Sequence, residues 1–206
     1  MTPRFDISGA IGEGDATSAA LGAFLDANAG PVEVVINSFG GIATEGAAMF
    51  AALERHGNAT AIVQGIAASA ASLAMLGARR VRVHDAALIM VHEPAALAMG
   101  TADDMRATAD SLDKIGAVYA GIYARATGNP VARIAAWMAE ETWLDATECV
   151  ALGFADEVLS GSTEPAVPVA AFDYRKFRSA PAALVQMALA NGWATELPIS
   201  KTEFSK

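Results

Sequence analysis

Apolar and polar residues alternate over residues 5–11, and a period of two predicts a strand there. Over residues 17–27 the period changes, because Leu21, Phe24 and Leu25 recur at helical spacing, with Asp15 or Thr17 placed to cap the helix. The run Val32-Glu33-Val34-Val35-Ile36-Asn37 is β-branched and nearly all apolar, as a buried strand requires. The pair Gly40-Gly41 is expected to break it. Residues 46–55 read as a helix closed by Gly57. Residues 59–66 then predict a strand, and residues 70–76 a short, very apolar helix. Further strands are expected at 81–83 and 87–91, the second ended by Pro94.

A long amphipathic helix is expected over residues 101–127, with Met105, Ala109, Leu112, Ile115, Tyr119 and Ile122 near one stripe. Thr101 caps it, Asp103 and Asp104 sit in its first turn, and Gly128 ends it. Pro130 suits the start of a helix over residues 131–138. Asp145-Ala146-Thr147-Glu148 has capping-box form and opens a helix that stops at Gly153, before a last short strand at 154–159. Residues 161–170, rich in Gly, Ser, Thr, Glu and Pro, read as a linker; residues 182–190 predict a short helix behind Pro181, and 200–206 are expected to fray. Strands alternating with helices imply an α/β fold with a largely parallel sheet. The expected organisation is one domain over residues 1–160, followed by a linker and short C-terminal extension over 161–206.

Composition narrows the function classes. With 206 residues the chain can build one substantial core. Hydrophobic residues make up 53% and charged residues 18%, and the apolar surplus is mostly Ala and Gly, a balance that implies subunits covering one another. A net charge of −9 argues against nucleic acid as a partner, since phosphate binding needs clustered Lys and Arg. The one basic cluster, Arg79, Arg80 and Arg82, is expected to flank a strand at the surface. The single cysteine, Cys149, excludes an internal disulfide, fits a reducing compartment, and lies in a helix where a packing role is expected. The N-terminal residues show no basic head followed by an apolar stretch, and the most apolar segment, 65–78, is too short to span a bilayer. A soluble, cytoplasmic protein with no membrane partner is therefore expected.

Three segments can carry chemistry. Ser69 stands where a strand gives way to an apolar helix, so its hydroxyl is held rigidly beside the free N–H groups of a helix start, which can stabilise an oxyanion. The same position also suits a simple helix cap. His92 closes the run Leu88-Ile89-Met90-Val91, at the end of a buried strand, where a neutral imidazole can accept a proton; a structural histidine is the alternative. His56 and His84 have ordinary surface explanations. Gly40-Gly41 lets the backbone approach a ligand closely, though paired glycines also serve as turns. The chain has no Walker A sequence, no zinc-type Cys/His spacing and no Gly-x-Gly-x-x-Gly after a strand, so no nucleotide, metal or other cofactor is expected.

Together these segments resemble a known family. Ile36-Asn37-Ser38-Phe39-Gly40-Gly41, Gly65-Ile66-Ala67-Ala68-Ser69 and Ile89-Met90-Val91-His92-Glu93-Pro94 are similar to the three signature segments of the Clp (caseinolytic) serine peptidase proteolytic subunit, in its order and approximate spacing. Trp143-Leu144-Asp145-Ala146-Thr147-Glu148, running on to Leu152-Gly153-Phe154-Ala155-Asp156, resembles the family's closing segment, so the likeness covers residues 4 to 158.

The resemblance implies a Clp/crotonase-type fold of repeated strand-helix units, with the long helix at 101–127 joining stacked heptameric rings. It implies Ser69 as nucleophile, His92 as general base, and the N–H groups of Gly41 and Ala70 as the oxyanion hole, with Gly40 shaping that turn. Glu141 stands where the family has an aspartate, and its extra methylene leaves Glu140 as an alternative acid. Phe39 replaces the family's usual proline. The implied substrates are polypeptides, and the implied partners are further copies of the chain with either a hexameric Clp ATPase or phage capsid and scaffold proteins. Glu141-Thr142-Trp143 and the extension past Ser160 look more like the phage head-maturation branch. The competing readings are an ATPase-coupled housekeeping subunit, an acyl-CoA enzyme of the crotonase type, and a shell protein whose triad has decayed.

Overall fold

The computed structural model describes residues 1–160 and 169–194, so most of the expected linker and the whole 200–206 tail lie outside the described residues. The chain forms two compact units, Met1–Ala170 and Ala171–Lys206. In chain order the first contains β1 (Arg4–Ile11), α1 (Ser18–Ala27), β2 (Val32–Gly41), α2 (Ala43–His56), β3 (Ala59–Ala68), α3 (Ala70–Met75), β4 (Arg80–His84), β5 (Leu88–Val91), α4 (Ala102–Thr127), α5 (Val131–Glu140), β6 (Thr142–Leu144), α6 (Ala146–Ala151) and β7 (Glu157–Leu159). The expected α/β alternation is therefore present, and the sheet runs β1-β2-β3-β4-β7 in parallel.

β3 serves two neighbours. Its first half, Thr60 to Val63, pairs with β4, and its last residues, Ile66 to Ala68, pair with β5. β5 in turn pairs antiparallel with β6. The β-branched and alanine-rich stretches supply the core: Ile7, Val34, Ile36, Ala61, Val63 and Ile89 are fully buried, and Leu21, Met49 and Leu53 from α1 and α2 join them. Helix ends follow the local chemistry of the sequence. Thr17 caps α1 by accepting from the Ala20 N–H, capping boxes open α4 at Thr101/Asp104 and α6 at Asp145/Glu148, and Gly57 and Gly128 close α2 and α4 in the left-handed conformation.

Two expectations need correction, and two features add to the sequence reading. β2 does not break at Gly40-Gly41: a bulge that sets Ser38 and Phe39 against Gly9 takes up one extra residue, and pairing with β1 resumes at Gly40 and Gly41. The last strand starts at Glu157 instead of 154, because the Phe154 and Ala155 N–H groups both bond the Cys149 carbonyl and close α6. Phe154 instead packs its ring against Tyr123 and Trp137. β6 carries no signal in the sequence, since three residues are too few to display a period. The buried residues of α4 are Ala120, Tyr123 and Ala124; Tyr119 and Ile122 are half-buried and Met105 is exposed.

The basic cluster does flank a strand, with Arg80 and Arg82 both paired to Glu157 of β7. Cys149 is fully buried, and that burial pushes its thiol up to about 12, consistent with packing and not reactivity. The second unit carries a 3-10 turn, Tyr174–Lys176, and α7 (Ala182–Ala190), with Phe172, Tyr174 and Phe177 in mutual ring contact. Among the described residues no helix is long and apolar enough to cross a membrane.

Candidate active site

The strand pairing brings the chemically distinctive residues to one end of the sheet. β3 and β5 are parallel with Ala68 opposite Met90, and the Ser69 N–H continues the ladder by donating to the Met90 carbonyl at 2.9 Å. Ser69 and His92 are thus the first residues past the carboxyl ends of adjacent parallel strands, the position where α/β sheets collect their sites. The imidazole Nε2 of His92 lies 2.7 Å from Ser69 Oγ across a separation of 23 residues. With Nδ1 protonated, Nε2 accepts the hydroxyl hydrogen, which is the ground-state arrangement for proton abstraction. Both residues are half-buried, so the pair is reachable from solvent yet backed by core.

Ser69 adopts φ 56°, ψ −124°, and it does not cap α3 with its side chain. The cap alternative therefore has no hydrogen bond behind it. Among the described residues, two non-glycine residues have positive φ, Ser69 and Glu141. Such a backbone costs about 1–3 kcal/mol and persists only where the surroundings hold it. At Ser69 the holding groups are visible. Its carbonyl accepts from the Ser72 hydroxyl at 2.7 Å and from the Ser72 and Leu73 N–H groups at 3.0 and 3.3 Å. At about 0.5–1.5 kcal/mol net for each bond, these are enough to offset the strain.

The glycine turn sits against this elbow. A Cβ added at Gly40 would lie 2.6 Å from Ser69 Cβ, 2.7 Å from the Ala68 carbonyl oxygen and 3.2 Å from the Ala70 nitrogen, and φ there is +99°. At Gly41 an added Cβ would fall 2.2 Å from the Ile11 carbonyl oxygen. Both positions exclude any side chain: at Gly40 the backbone approaches residues 68–70, and at Gly41 it approaches Ile11 of β1, as only glycine permits. Ser38 fixes the approach: its buried hydroxyl donates to the Gly9 carbonyl at 2.6 Å and accepts the Gly40 N–H at 3.1 Å. Gly46 makes similar room on α2, where a Cβ would meet the Ala70 carbonyl oxygen at 2.6 Å. Gly40→Ala is expected to destabilise the fold by about 1–3 kcal/mol, read as a lowered denaturant midpoint at unchanged m value. An unchanged midpoint would show that the turn relaxes freely.

β6 brings the third group. Val91 pairs with Thr142 across the antiparallel β5–β6 ladder, and His92 and Glu141 are the residues that adjoin that last pair. Glu141 is buried, whereas Glu140 on α5 is exposed. A cavity of about 470 Å³ opens beside the segment after His92, lined by Glu93, Pro94, Leu112, Ala120, Val131 and Met138. His56 and His84 stand apart, bonded to the Asn28 carbonyl and paired with Asp85 respectively. No group of three or more His, Cys, Asp or Glu side chains among the described residues is arranged to hold a metal ion.

Sequence reasoning missed Ser38, Ser72 and Tyr123. A serine two residues before a glycine was the available sign for Ser38; the other two join through contacts that no local pattern encodes. Chemically, the ensemble offers a hydroxyl, an adjoining base and a close-packed glycine turn, with a buried carboxylate residue just before β6.

Comparison with known proteins points to one family. A family model described as Clp protease matches residues 14–162. The chain is 30% identical over 136 residues to the ATP-dependent Clp protease proteolytic subunit 2 of Thermobifida fusca (strain YX), an alignment that covers 65% of this chain and 67% of that protein. It is 31% identical over 141 residues to subunit 1 of Protochlamydia amoebophila (strain UWE25), covering 65% and 68%. Against the Chlamydomonas reinhardtii subunit it is 34% identical over 131 residues but spans only 25% of that longer protein. Among solved structures, a point mutant of ClpP1 from Listeria monocytogenes superposes with a TM-score of 0.67 at 20% identity, covering 77% of this chain and 91% of that one.

Proposed function

The chain belongs to the Clp protease family, and from that premise we propose that it is a serine endopeptidase in which Ser69 is the nucleophile and His92 its general base. The observation that carries the assignment is the 2.7 Å contact between His92 Nε2 and Ser69 Oγ. His92 removes the Ser69 proton as Oγ attacks a peptide carbonyl carbon. The N–H groups of Gly41 and Ala70 receive the oxyanion, and His92 protonates the departing amine. Water then repeats the sequence: His92 takes its proton, the hydroxide attacks the acyl carbon, and Ser69 leaves with the proton returned. Removing one oxyanion donor typically costs about 100- to 1000-fold in rate. Glu141 holds the imidazole in the tautomer that accepts at Nε2 and offsets its charge. The cavity beside Glu93 and Pro94 receives a substrate side chain.

Purified protein incubated with a panel of fluorogenic peptides tests this reading. Hydrolysis that a fluorophosphonate stops irreversibly supports it. Turnover of an acyl-CoA thioester without peptide hydrolysis would transfer the chain to the crotonase-type alternative. Neither activity in a folded, assembled protein would leave the non-catalytic shell.

The first turns of α4 carry no buried residue, while Met105 and Val118 expose their side chains. A helix of 26 residues, about 39 Å long, that buries little in its own subunit supports assembly through that face. Light scattering at micromolar concentration is expected to give a ring-sized homo-oligomer of seven or fourteen chains; a stable monomer would contradict it. Within the family, the glutamate at 141 and the extension past Ser160 support phage-type processing of capsid or scaffold proteins. Adjacent portal and capsid genes would support that role, whereas hydrolysis of folded proteins that depends on an added Clp ATPase favours the housekeeping subunit.

A further inference from the structure

Three donors hold the carbonyl oxygen of Ser69: the N–H groups of Ser72 and Leu73, and Ser72 Oγ at 2.7 Å. Tyr123 Oη lies next to them, 3.4 Å from the same oxygen. A carbonyl can only accept, so the single hydroxyl hydrogen of Ser72 is committed to it. The Tyr123 hydroxyl, 2.8 Å from Ser72 Oγ, then donates to Ser72. The distances favour the order Tyr123 O–H to Ser72 Oγ and Ser72 O–H to the Ser69 carbonyl, since the reverse order would use the 3.4 Å contact in place of the 2.7 Å one. Both residues are sealed from solvent, at 3% and 0% exposure. Tyr123 arrives from α4, 51 residues along the chain, with its ring against Phe154. Burial pushes its hydroxyl well above the ordinary phenol range, so it remains a donor at every working pH.

The Ser69 carbonyl and the Ala70 N–H are opposite ends of one planar peptide group. Whatever holds the carbonyl also sets where the N–H points. The ψ of −124° at Ser69 lies outside the wells a serine occupies unaided, so that direction depends on the groups gripping the carbonyl. We propose that Tyr123 and Ser72 form a hydroxyl relay that aims the Ala70 N–H into the oxyanion site, which makes both of them positioning residues for peptide hydrolysis. The proposal rests on the assignment of Ser69 as nucleophile and the Ala70 N–H as oxyanion donor. Neither hydroxyl touches the substrate. Because charge collects on the carbonyl oxygen only as the bond to Ser69 forms, the relay acts on kcat and leaves KM nearly untouched.

Tyr123→Phe removes one buried oxygen and keeps the ring, and Ser72→Ala removes the other link. Each is measured for kcat and KM on a fluorogenic peptide and for affinity toward a peptidyl aldehyde, whose adduct with Ser69 places an oxyanion in the same site. The expected result is a fall in kcat of about 10- to 100-fold, KM within about twofold of the parent, and aldehyde affinity falling in step with kcat/KM. The double variant should be no worse than the poorer single one, since one relay is cut twice. Parental kcat and aldehyde affinity in folded Tyr123→Phe overturn the proposal. So do losses that follow the folded fraction while aldehyde affinity per folded site holds. Should Ser72→Ala fail to fold, Tyr123→Phe alone decides. A parent protein that neither cleaves peptides nor bonds the aldehyde at Ser69 would instead defeat the underlying assignment.

Discussion

Ser69→Ala is expected to lower kcat/KM for peptide hydrolysis by about 10,000- to 1,000,000-fold with little change in melting temperature. The hydroxyl makes one contact given by the geometry, to His92 Nε2, and Ser69 is half-buried and does not cap α3. Losing Oγ therefore removes the attacking atom without breaking a structural bond. Alanine adopts a positive φ no more readily than serine, so the elbow keeps its strain and its carbonyl grip. Residual activity should come from substrate binding and the oxyanion donors alone. A variant that retains a tenth of the parental rate would remove Ser69 from the chemistry.

Glu141→Gln is the second large effect, an expected fall in kcat of about 1,000- to 10,000-fold. Glutamine matches the size of glutamate but carries no charge to offset an imidazolium, and its amide can present a donor where the imidazole N–H needs an acceptor. The β5–β6 ladder ends on the pair Val91/Thr142, which His92 and Glu141 adjoin, and Glu141 is buried in a left-handed backbone that glutamate adopts only under constraint. Glu140→Gln, on the exposed end of α5, serves as the comparison and should cost little. The reverse pattern, with Glu140→Gln inactive and Glu141→Gln normal, would transfer the role to Glu140. Kinetics on a fluorogenic peptide with a melting curve for each variant decide between them.

Much of this architecture is written locally. The β-branched run ending in Asn37 and the apolar run ending in Val91 both lie in strands, and the second stops where His92 takes over. Ser69 and His92 are visible because they occupy strand ends, and the glycine pair because two adjacent glycines interrupt an apolar run. What lies between segments is less legible. β6 is three residues long and exists because β5 offers it an edge. Gly40-Gly41 suggests a break from composition, yet the pairing with β1 continues because a bulge takes up the odd residue. On α4 the stripe through Met105, Tyr119 and Ile122 is one residue out of phase with the face that reaches the core, since a helical period fixes a face but not what packs on it. That shift is why Tyr123, one position beyond Ile122, does not stand out in the sequence. Ser72 reads as one more small residue in an apolar helix until Tyr123 is folded against it.

The most direct measurement is the intact mass of the protein after exposure to a fluorophosphonate, followed by peptide mapping. The account predicts one adduct per chain, located on Ser69 and absent from Ser69→Ala. A folded parent protein that gains no mass, or an adduct carried equally by the alanine variant, would contradict it.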